Sequence, residues 1–274
     1  MVKNTQRFEG FAEMPAEVVR RNYNVLSGSL AEDVRKVAET TFGARLAGFP
    51  GLEGTLRIVD AQGREELAGS NMPVLAGLNL VDLGGLGIQV CDERDLARIY
   101  NDEVTRLEQG REGFFNGRYW FDVALIRNPH ATQKELAPWE AELDKGISKL
   151  CGKGEIVSVP YRAIVPVVTE TDNAPFGKIS CYSFKLNSGV RDAVRVIEVS
   201  AQEAQEGYDF AKLDGNSAFP VKGRGRHFDG ISGSKKFSGL CIYGSLDANH
   251  DGDPLYSNEY GRVAFKSRSD ALEK

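Results

Sequence analysis

The sequence predicts an α+β fold in which helices cover one face of a β-sheet. Amphipathic helical patterns and apolar strand-like patterns alternate through the middle of the chain, over roughly residues 91–200. Glycine and polar residues dominate the segments on either side, which favours hairpins and irregular connections there. These two observations predict a sheet core with helices on one face and loop-rich insertions.

The clearest strand candidate covers residues 118–127 and follows two glycines and an asparagine that favour a turn. Aromatic and branched side chains alternate along it, and one face consists of Tyr119, Phe121, Val123 and Leu125. Arg118 enters on the opposite face, where Asp122 would be a suitable partner if the arginine were structural. Two interpretations are open. The segment is either a core strand capped by its arginine, or a strand that presents arginine and aromatic side chains on a sheet surface, as RNA-binding sheets do.

Helical patterns precede this strand. Residues 13–43 have the pattern of two helices, the second of which begins with a capping box at Ser29 and Glu32. This second helix is predicted to end before Gly43, because glycine commonly follows the last helical turn.

Residues 43–87 are rich in glycine, and short apolar runs at 55–59 and 72–81 predict hairpins and loops there. An amphipathic helix is predicted over residues 92–109, where apolar side chains share one face and a glycine follows.

Another helix is predicted over residues 132–150, beginning with a capping box at Thr132 and Glu135. Its core-facing stripe consists of Leu136, Trp139, Leu143, Ile147 and Leu150.

Three more strand candidates follow, at residues 155–168, 178–186 and 190–199. Two prolines interrupt the first candidate. Because proline donates no ladder hydrogen bond, that strand is expected to be bulged or to lie at a sheet edge.

We expect one domain over residues 1–274, since a chain of this length can bury a sizeable core. It is expected to have three parts. These are N-terminal helices and hairpins over residues 1–90, an α/β core over 91–200 and a loop-rich basic segment over 201–274.

The composition favours a cytoplasmic globular protein with no membrane association. The chain opens on a polar segment without signal-peptide character, and no apolar run approaches the roughly 20 residues of a membrane span. No CxxC pair occurs among the cysteines, which argues against a zinc site and fits reduced thiols; they are Cys91, Cys151, Cys181 and Cys241. The formal net charge is −5, so any surface that binds nucleic acid must be a local one.

The densest basic cluster lies in residues 222–236, where five lysines and arginines accompany one acid, Asp229. Several glycines in this segment would allow backbone amides to approach an anion closely. The spacing does not match a P-loop, so contact with a phosphate backbone is the functional interpretation. A solvated loop is the alternative.

Other candidate sites are weaker. Asp247, Asn249 and Asp251 imitate the start of a calcium loop, but Asn258 stands where such a loop needs a bidentate acid. The pair at Glu65–Glu66 is in polar surroundings and is expected at the surface. No pattern of a serine, cysteine or metal-dependent catalytic site is present, so we expect a protein that is not an enzyme and has no metal or cofactor.

Three stretches occur in an order that resembles a known family. Asn116, Arg118, Tyr119 and Trp120 stand in one strand candidate, and residues 139–159 combine an acidic helix, a glycine-rich end and a valine-rich strand. Farther on, the serines and lysines of residues 232–236 precede an EYG turn at 259–261. This order resembles the crRNA-binding backbone subunit of class 1 CRISPR surveillance complexes, the Cas-seven family of the RAMP superfamily, nearest the type I-F branch. The resemblance covers roughly the last two-thirds of the chain.

The resemblance implies an RRM/ferredoxin-like sheet core and a subunit without an active site. Copies of such a subunit polymerise along a guide crRNA, together with other CRISPR effector subunits, and present it for pairing with a target nucleic acid. Arginine and lysine would hold the phosphates, without reading bases. The residues expected to bind RNA are Arg111, Asn116, Arg118, Lys222, Arg224, Arg226, His227, Ser232, Lys235 and Lys236.

Two alternatives remain. In type III relatives of this family an acidic residue in a loop cuts target RNA, and Asp229 would be the candidate here. The second alternative is a calcium-binding or small-ligand-binding module around Asp247.

Overall fold

A computed structural model describes residues 23–61, 63–92, 95–96, 119–173, 175, 177–197, 233–243 and 248–268. The fold is α+β, which confirms the predicted class. The described helices are α1 (Gly28–Arg45), α2 (Met72–Leu78) and α3 (Pro138–Ser148). The described strands are β1 (Tyr23–Val25), β2 (Arg57–Asp60), β3 (Glu65–Ala68), β4 (Ile88–Val90), β5 (Trp120–Arg127), β6 (Ile156–Pro160), β7 (Ile164–Asp172), β8 (Lys178–Leu186), β9 (Arg195–Ile197), β10 (Phe237–Tyr243), β11 (Ala248–Gly252), β12 (Gly261–Arg262) and β13 (Ala264–Ser267). None of these helices is long and apolar enough to cross a membrane.

The central sheet has the strand order β11-β10-β5-β6-β9, and each of these neighbouring pairs is antiparallel. Strand β12 adds a short parallel pairing beside the first residues of β5. Every residue of β5 is buried, so this strand lies in the core with both faces covered. The interpretation of the strand as an open RNA-binding surface is therefore wrong for Trp120–Arg127.

Smaller sheets surround this core. Strands β1, β13 and β4 form an antiparallel sheet, while β2–β3 and β7–β8 are separate hairpins. Pairing of Ser27 with Glu66 and a backbone hydrogen bond from Gly69 to Gly261 connect these layers. One cluster of buried apolar side chains extends through them, from Leu26 to Phe265.

Helix α1 confirms the second predicted N-terminal helix but differs at both ends. It starts at Gly28, with Ser27 at the N-cap making no side-chain cap, so the predicted capping box at Ser29 and Glu32 is wrong. The Glu32 carboxylate instead accepts from Arg35 at 2.9 Å. The helix also continues through Gly43, because that glycine stands in open space and a helix interior tolerates one glycine at modest cost.

Helix α2 replaces the loop expected around residues 72–81. All of its residues are buried, and the Asn71 side chain accepts from the Val74 N–H at its start. A helix buried all round has no polar face, and a short apolar run of this kind cannot be assigned from periodicity.

Helix α3 is shorter than the helix predicted over residues 132–150. Pro138 occupies its first turn, and the Glu140 carboxylate accepts the Ala137 N–H at 2.7 Å. The proposed capping box at Thr132 and Glu135 is therefore wrong, since both residues precede the helix. The core-facing stripe is confirmed at its centre, where Leu143 and Ile147 are fully buried.

The segment predicted as one strand over residues 155–168 forms two strands. A 3₁₀ turn at Tyr161–Ala163 separates β6 from β7, and Pro160 ends the first of them. Strand β8 matches the prediction, whereas the candidate at 190–199 contributes only the short β9 to the described residues. The predicted helix at 92–109 lies almost wholly outside the described residues. The first helix predicted within 13–43 lies outside them up to residue 22, and the prediction is wrong for Tyr23–Val25, which forms β1 and pairs with β13.

Leu143→Ala tests the packing of α3 on the core. The side chain is 0% exposed, so its truncation should lower the free energy of unfolding by roughly 2 to 5 kcal/mol. Urea denaturation of the variant beside the parent would measure the loss. Lys145→Ala, at an exposed position of the same helix, is the matched control and should change stability by less than about 0.5 kcal/mol. Equal stability of the two variants would contradict the packing of this face.

Candidate functional site

Lys235 and Lys236 are the predicted RNA-binding residues that fall in the described part of the chain. The others lie outside it: Arg111, Asn116, Arg118, Lys222, Arg224, Arg226, His227 and Ser232. Asp229 of the ribonuclease alternative and Asp247 of the calcium alternative also lie outside. The described residues therefore include only the C-terminal end of the basic cluster, residues 233–236.

That end is fixed to the central sheet through two loops that run side by side, residues 128–134 and 233–236, called the anchor loops here. The Asn128 N–H donates to the Lys236 carbonyl at 2.8 Å, and the Thr132 N–H donates to the Gly233 carbonyl at 2.9 Å. The Lys236 N–H in turn donates to the side-chain oxygen of Gln133 at 2.8 Å. Lys134 and Lys235 are exposed on these loops.

The anchor loops rest on a buried charge network at the end of β5. Arg127 is 1% exposed, and its Nε donates to Asp144 Oδ1 at 2.7 Å. Its other guanidinium nitrogens donate to the Glu155 and Lys153 carbonyls and to Ser148 Oγ, each within 2.9 Å. Each end of this guanidinium is thus satisfied inside the protein.

Asp144 also receives the Lys236 ammonium at 2.9 Å. Burial raises the pKa of Asp144, but hydrogen bonds from Lys236 and Arg127 outweigh it, and the net effect lowers that pKa. The single carboxylate of Asp144 thus lies between two cations, Arg127 and Lys236. Contact of Lys236 with RNA stays a prediction, and Lys134 and Lys235 are exposed on the anchor loops.

A second buried ion pair lies at the opposite end of β5. Arg262 is 2% exposed, and its Nε is 3.2 Å from Glu66 Oε2. The Tyr119 hydroxyl donates to the same oxygen at 2.6 Å, and the Arg262 guanidinium lies 4.2 Å from the Tyr119 ring centre. Glu65 is exposed as predicted, but Glu66 is buried, so its expected surface position is wrong. Its cation is Arg262, far along the chain, which a local pattern cannot reveal.

The two ends are separated by the length of β5. Eight residues of extended strand span about 26 Å. Tyr119 and the anchor loops therefore lie at opposite ends of the central strand, and one short RNA contact cannot engage both.

Between them, the side chain of Asp122 enters the interior. It is 6% exposed; Ser70 Oγ donates to one carboxylate oxygen at 2.7 Å, and Cys241 Sγ to the other at 3.2 Å. Burial raises the pKa of Asp122 to about 7, although these two hydrogen bonds lower it. Its described partners are neutral side chains. Arg118, for which the sequence suggested Asp122 as an ion-pair partner, lies outside the described residues.

Asp122 lines a cleft of about 390 Å³, together with Tyr161 and side chains of α2 and β4. Tyr161 is 3% exposed, and among the described residues its hydroxyl has no hydrogen-bond partner. Sequence reasoning missed this cleft. The one available signal was an aspartate among the apolar residues of β5, where an acid must find a partner.

The calcium alternative is not supported by the described part of its loop. Residues Ala248–Gly252 form strand β11, paired with β10, in place of the turning backbone of a calcium loop. Within the described ranges, no group of His, Cys, Asp and Glu side chains could hold a metal ion.

Arg262→Ala tests the ion pair beneath Tyr119. The change leaves the Glu66 carboxylate buried without its cation, which should cost about 3 to 5 kcal/mol of unfolding free energy. The double change Glu66→Gln with Arg262→Met should recover part of this loss, because no buried charge remains. Arg57→Ala, at an exposed arginine, is the control. A loss in Arg262→Ala no larger than in the control would refute the buried pair.

Asp122→Asn tests the raised pKa. The folded protein holds this proton up to a pKa of about 7, whereas the ordinary value is 3.8, so this group's contribution to stability falls as pH rises between these values. Asparagine does not titrate. The variant should therefore gain about 3 kcal/mol relative to the parent between pH 5 and pH 8, measured by urea unfolding. A variant-to-parent difference independent of pH, as expected for the exposed control Asp33→Asn, would contradict the shift.

The described structure thus holds two features with functional potential: the anchor loops, which join the basic cluster to the sheet, and the cleft at Asp122. Comparison of the chain with protein-family models, curated proteins and solved structures found no match.

Proposed function

We propose that this chain is a non-catalytic RNA-binding subunit that holds guide crRNA by its sugar–phosphate backbone. The observation that carries the proposal is the attachment of the basic cluster to the central sheet through the anchor loops. A flexible basic tail would bind any polyanion loosely, whereas fixed cations hold phosphates at defined positions.

The chemistry of the anchor loops suits backbone contact without base reading. Lys134 and Lys235 are exposed on neighbouring loops, and Lys236 is held by Asp144 beneath them. Lysine offers a point charge to phosphate and no fixed pattern of donors and acceptors for a base edge. A subunit whose sequence specificity is delegated to a guide strand needs this kind of contact.

The β7–β8 hairpin supports the assembly part of the proposal. Its strands pair along their whole length, from Ile164–Leu186 to Asp172–Lys178, and residues 169–173 and 177–181 are exposed. Ile179 is 43% exposed on this arm. No other described strand pairs with the outer edges of this arm. An extended arm with such edges and an exposed apolar side chain is suited to contact a neighbouring copy.

The full proposal follows the resemblance. Copies of the chain polymerise along the guide in the cytoplasm, with other effector subunits, and present the guide for pairing with a target nucleic acid. Arg118 and the basic residues before Ser232 are proposed to add phosphate contacts to those of the anchor loops.

The salt dependence of RNA binding tests the proposal. The double variant Lys134→Gln, Lys235→Gln should lose two phosphate contacts, which lowers the slope of log affinity against log salt on single-stranded RNA by about 1.4. Filter binding or fluorescence anisotropy over a salt series would give this slope. The loss should be the same for RNAs of different sequence.

The matched control is Lys36→Gln with Arg57→Gln. It removes the same charge from exposed positions on α1 and β2, which are not part of the anchor loops. Its slope should equal that of the parent. Equal slopes for the two double variants would refute the anchor loops as the phosphate site.

Magnesium-dependent cleavage of bound RNA that disappears in Asp229→Ala would instead support the ribonuclease alternative.

A further inference from the structure

The connection between β11 and β12, residues 253–260, presents two aromatic side chains to solvent and is called the tyrosine loop here. Tyr256 is 59% exposed and Tyr260 is 47% exposed, the highest fractions among the exposed large apolar side chains of the described residues. One exposed apolar side chain is ordinary on a protein surface. Two tyrosines on one short loop are typical of an interaction surface, because tyrosine joins a large apolar ring to a polar hydroxyl.

The tyrosine loop contains no helix or strand, yet it is fixed to the body of the protein. Its backbone carbonyls accept from the Met72 N–H, from the Asn71 side chain and from the Arg262 guanidinium. The Ser70 N–H donates to the Ser257 hydroxyl at 3.1 Å. A loop held in this way loses little conformational freedom when it binds a partner, which favours binding.

Asn258 connects the two tyrosines. Its side-chain oxygen accepts the Tyr260 N–H and the Trp120 indole N–H, each at 2.9 Å. Its side-chain nitrogen donates to the Tyr256 hydroxyl at 3.3 Å. Trp120 is buried in β5, so the amide that positions both tyrosines is itself held by the central strand.

Two carboxylates accompany the tyrosines. Asp253 and Glu259 are exposed on the same loop, and neither forms an ion pair with another described residue. The neighbouring Arg262 is already paired with Glu66. Carboxylates without a cation repel RNA phosphates and attract positive groups. The tyrosine loop is therefore suited to a cationic partner and not to a phosphate backbone.

The protein already holds one arginine with this combination of groups. The Arg262 guanidinium lies 4.2 Å from the Tyr119 ring centre, and its Nε is 3.2 Å from a Glu66 oxygen. Arginine fits such a site because its planar guanidinium stacks on an aromatic ring and donates in parallel to a carboxylate. The tyrosine loop offers the same two kinds of group to an arginine from outside.

We infer that the tyrosine loop binds an arginine-bearing segment of another protein, with a guanidinium stacked on tyrosine and paired with Glu259. The inference does not rest on the proposed RNA binding, because it involves no RNA and no residue of the anchor loops. Failure of either one leaves the other standing.

NMR titration of the full chain at low salt, with a decapeptide of alternating glycine and arginine, tests the inference. The chain has two tryptophans, so two indole N–H signals are expected, and the Trp120 indole reports on the loop through Asn258. Its signal should shift saturably, whereas that of Trp139, on α3, should not. A decapeptide of alternating glycine and lysine carries the same charge and should bind about two- to fivefold more weakly. Absence of saturation, or equal affinity for the two peptides, would overturn the inference.

Substitutions separate stacking from charge. Tyr256→Ala with Tyr260→Ala should weaken binding of the arginine peptide at least about fivefold, whereas the corresponding double change to phenylalanine keeps the rings and should stay within about twofold of the parent. Glu259→Gln should also weaken binding. Glu53→Gln, at an exposed carboxylate elsewhere, is the control and should bind like the parent. Unchanged affinity in the alanine double variant, or equal losses in Glu259→Gln and Glu53→Gln, would refute the site.

Two further measurements identify other occupants. The affinity for single-stranded RNA should be unchanged in Tyr256→Ala with Tyr260→Ala, and a loss for all RNA sequences alike would identify base stacking and overturn the assignment to a protein. Sedimentation of the RNA-free chain should show no self-association that depends on these tyrosines. Association of the parent that disappears in the double variant would identify a second copy as the occupant and overturn the assignment to another protein.

Discussion

Burial of β5 on both faces is the constraint on which the rest of the described structure depends. A strand between two layers gives its polar side chains no access to water, so each must find its partners inside the protein. The Arg127 guanidinium donates to Asp144 and to two backbone carbonyls. The Asp122 carboxylate accepts from two neutral side chains, and the Trp120 indole N–H donates to Asn258 at 2.9 Å. Each of these hydrogen bonds attaches a segment that is distant in sequence to the sheet.

The anchor loops illustrate how this constraint shapes a surface. Asp144 neutralises Arg127 and also holds Lys236, so one carboxylate both satisfies the core and positions the end of the basic cluster. A count of cations in the sequence therefore overestimates the charge available to RNA. A protein with a net charge of −5 can still present local basic loops, because its acids lie elsewhere or beneath them.

The sequence predicted those elements whose pattern lies within a few neighbouring residues. It did not predict contacts between residues that are far apart in the chain. The α+β class, β8 and the buried pair Leu143 and Ile147 follow from periodicity, which the fold preserves. Helix α2 was missed because a helix buried on all sides has no amphipathic period. The start of α3 was misplaced by five residues, because Pro138 and Glu140 provide a better start than the threonine pattern before them.

The candidate sites were harder to predict for the same physical reason. The burial of Glu66 depends on Arg262, and the environment of Asp122 depends on Ser70 and Cys241. These pairs join residues far apart in sequence, and only the packing of sheets and hairpins brings them together.

The geometry of β5 relates the cleft to the anchor loops. Asp122 precedes Arg127 by five residues, which corresponds to about 16 Å along an extended strand. Both side chains belong to one hydrogen-bonded element, so the cleft and the anchor loops keep a fixed separation. A substitution that disturbs the buried strand is therefore expected to affect both features, because each depends on a polar side chain that β5 holds in the core.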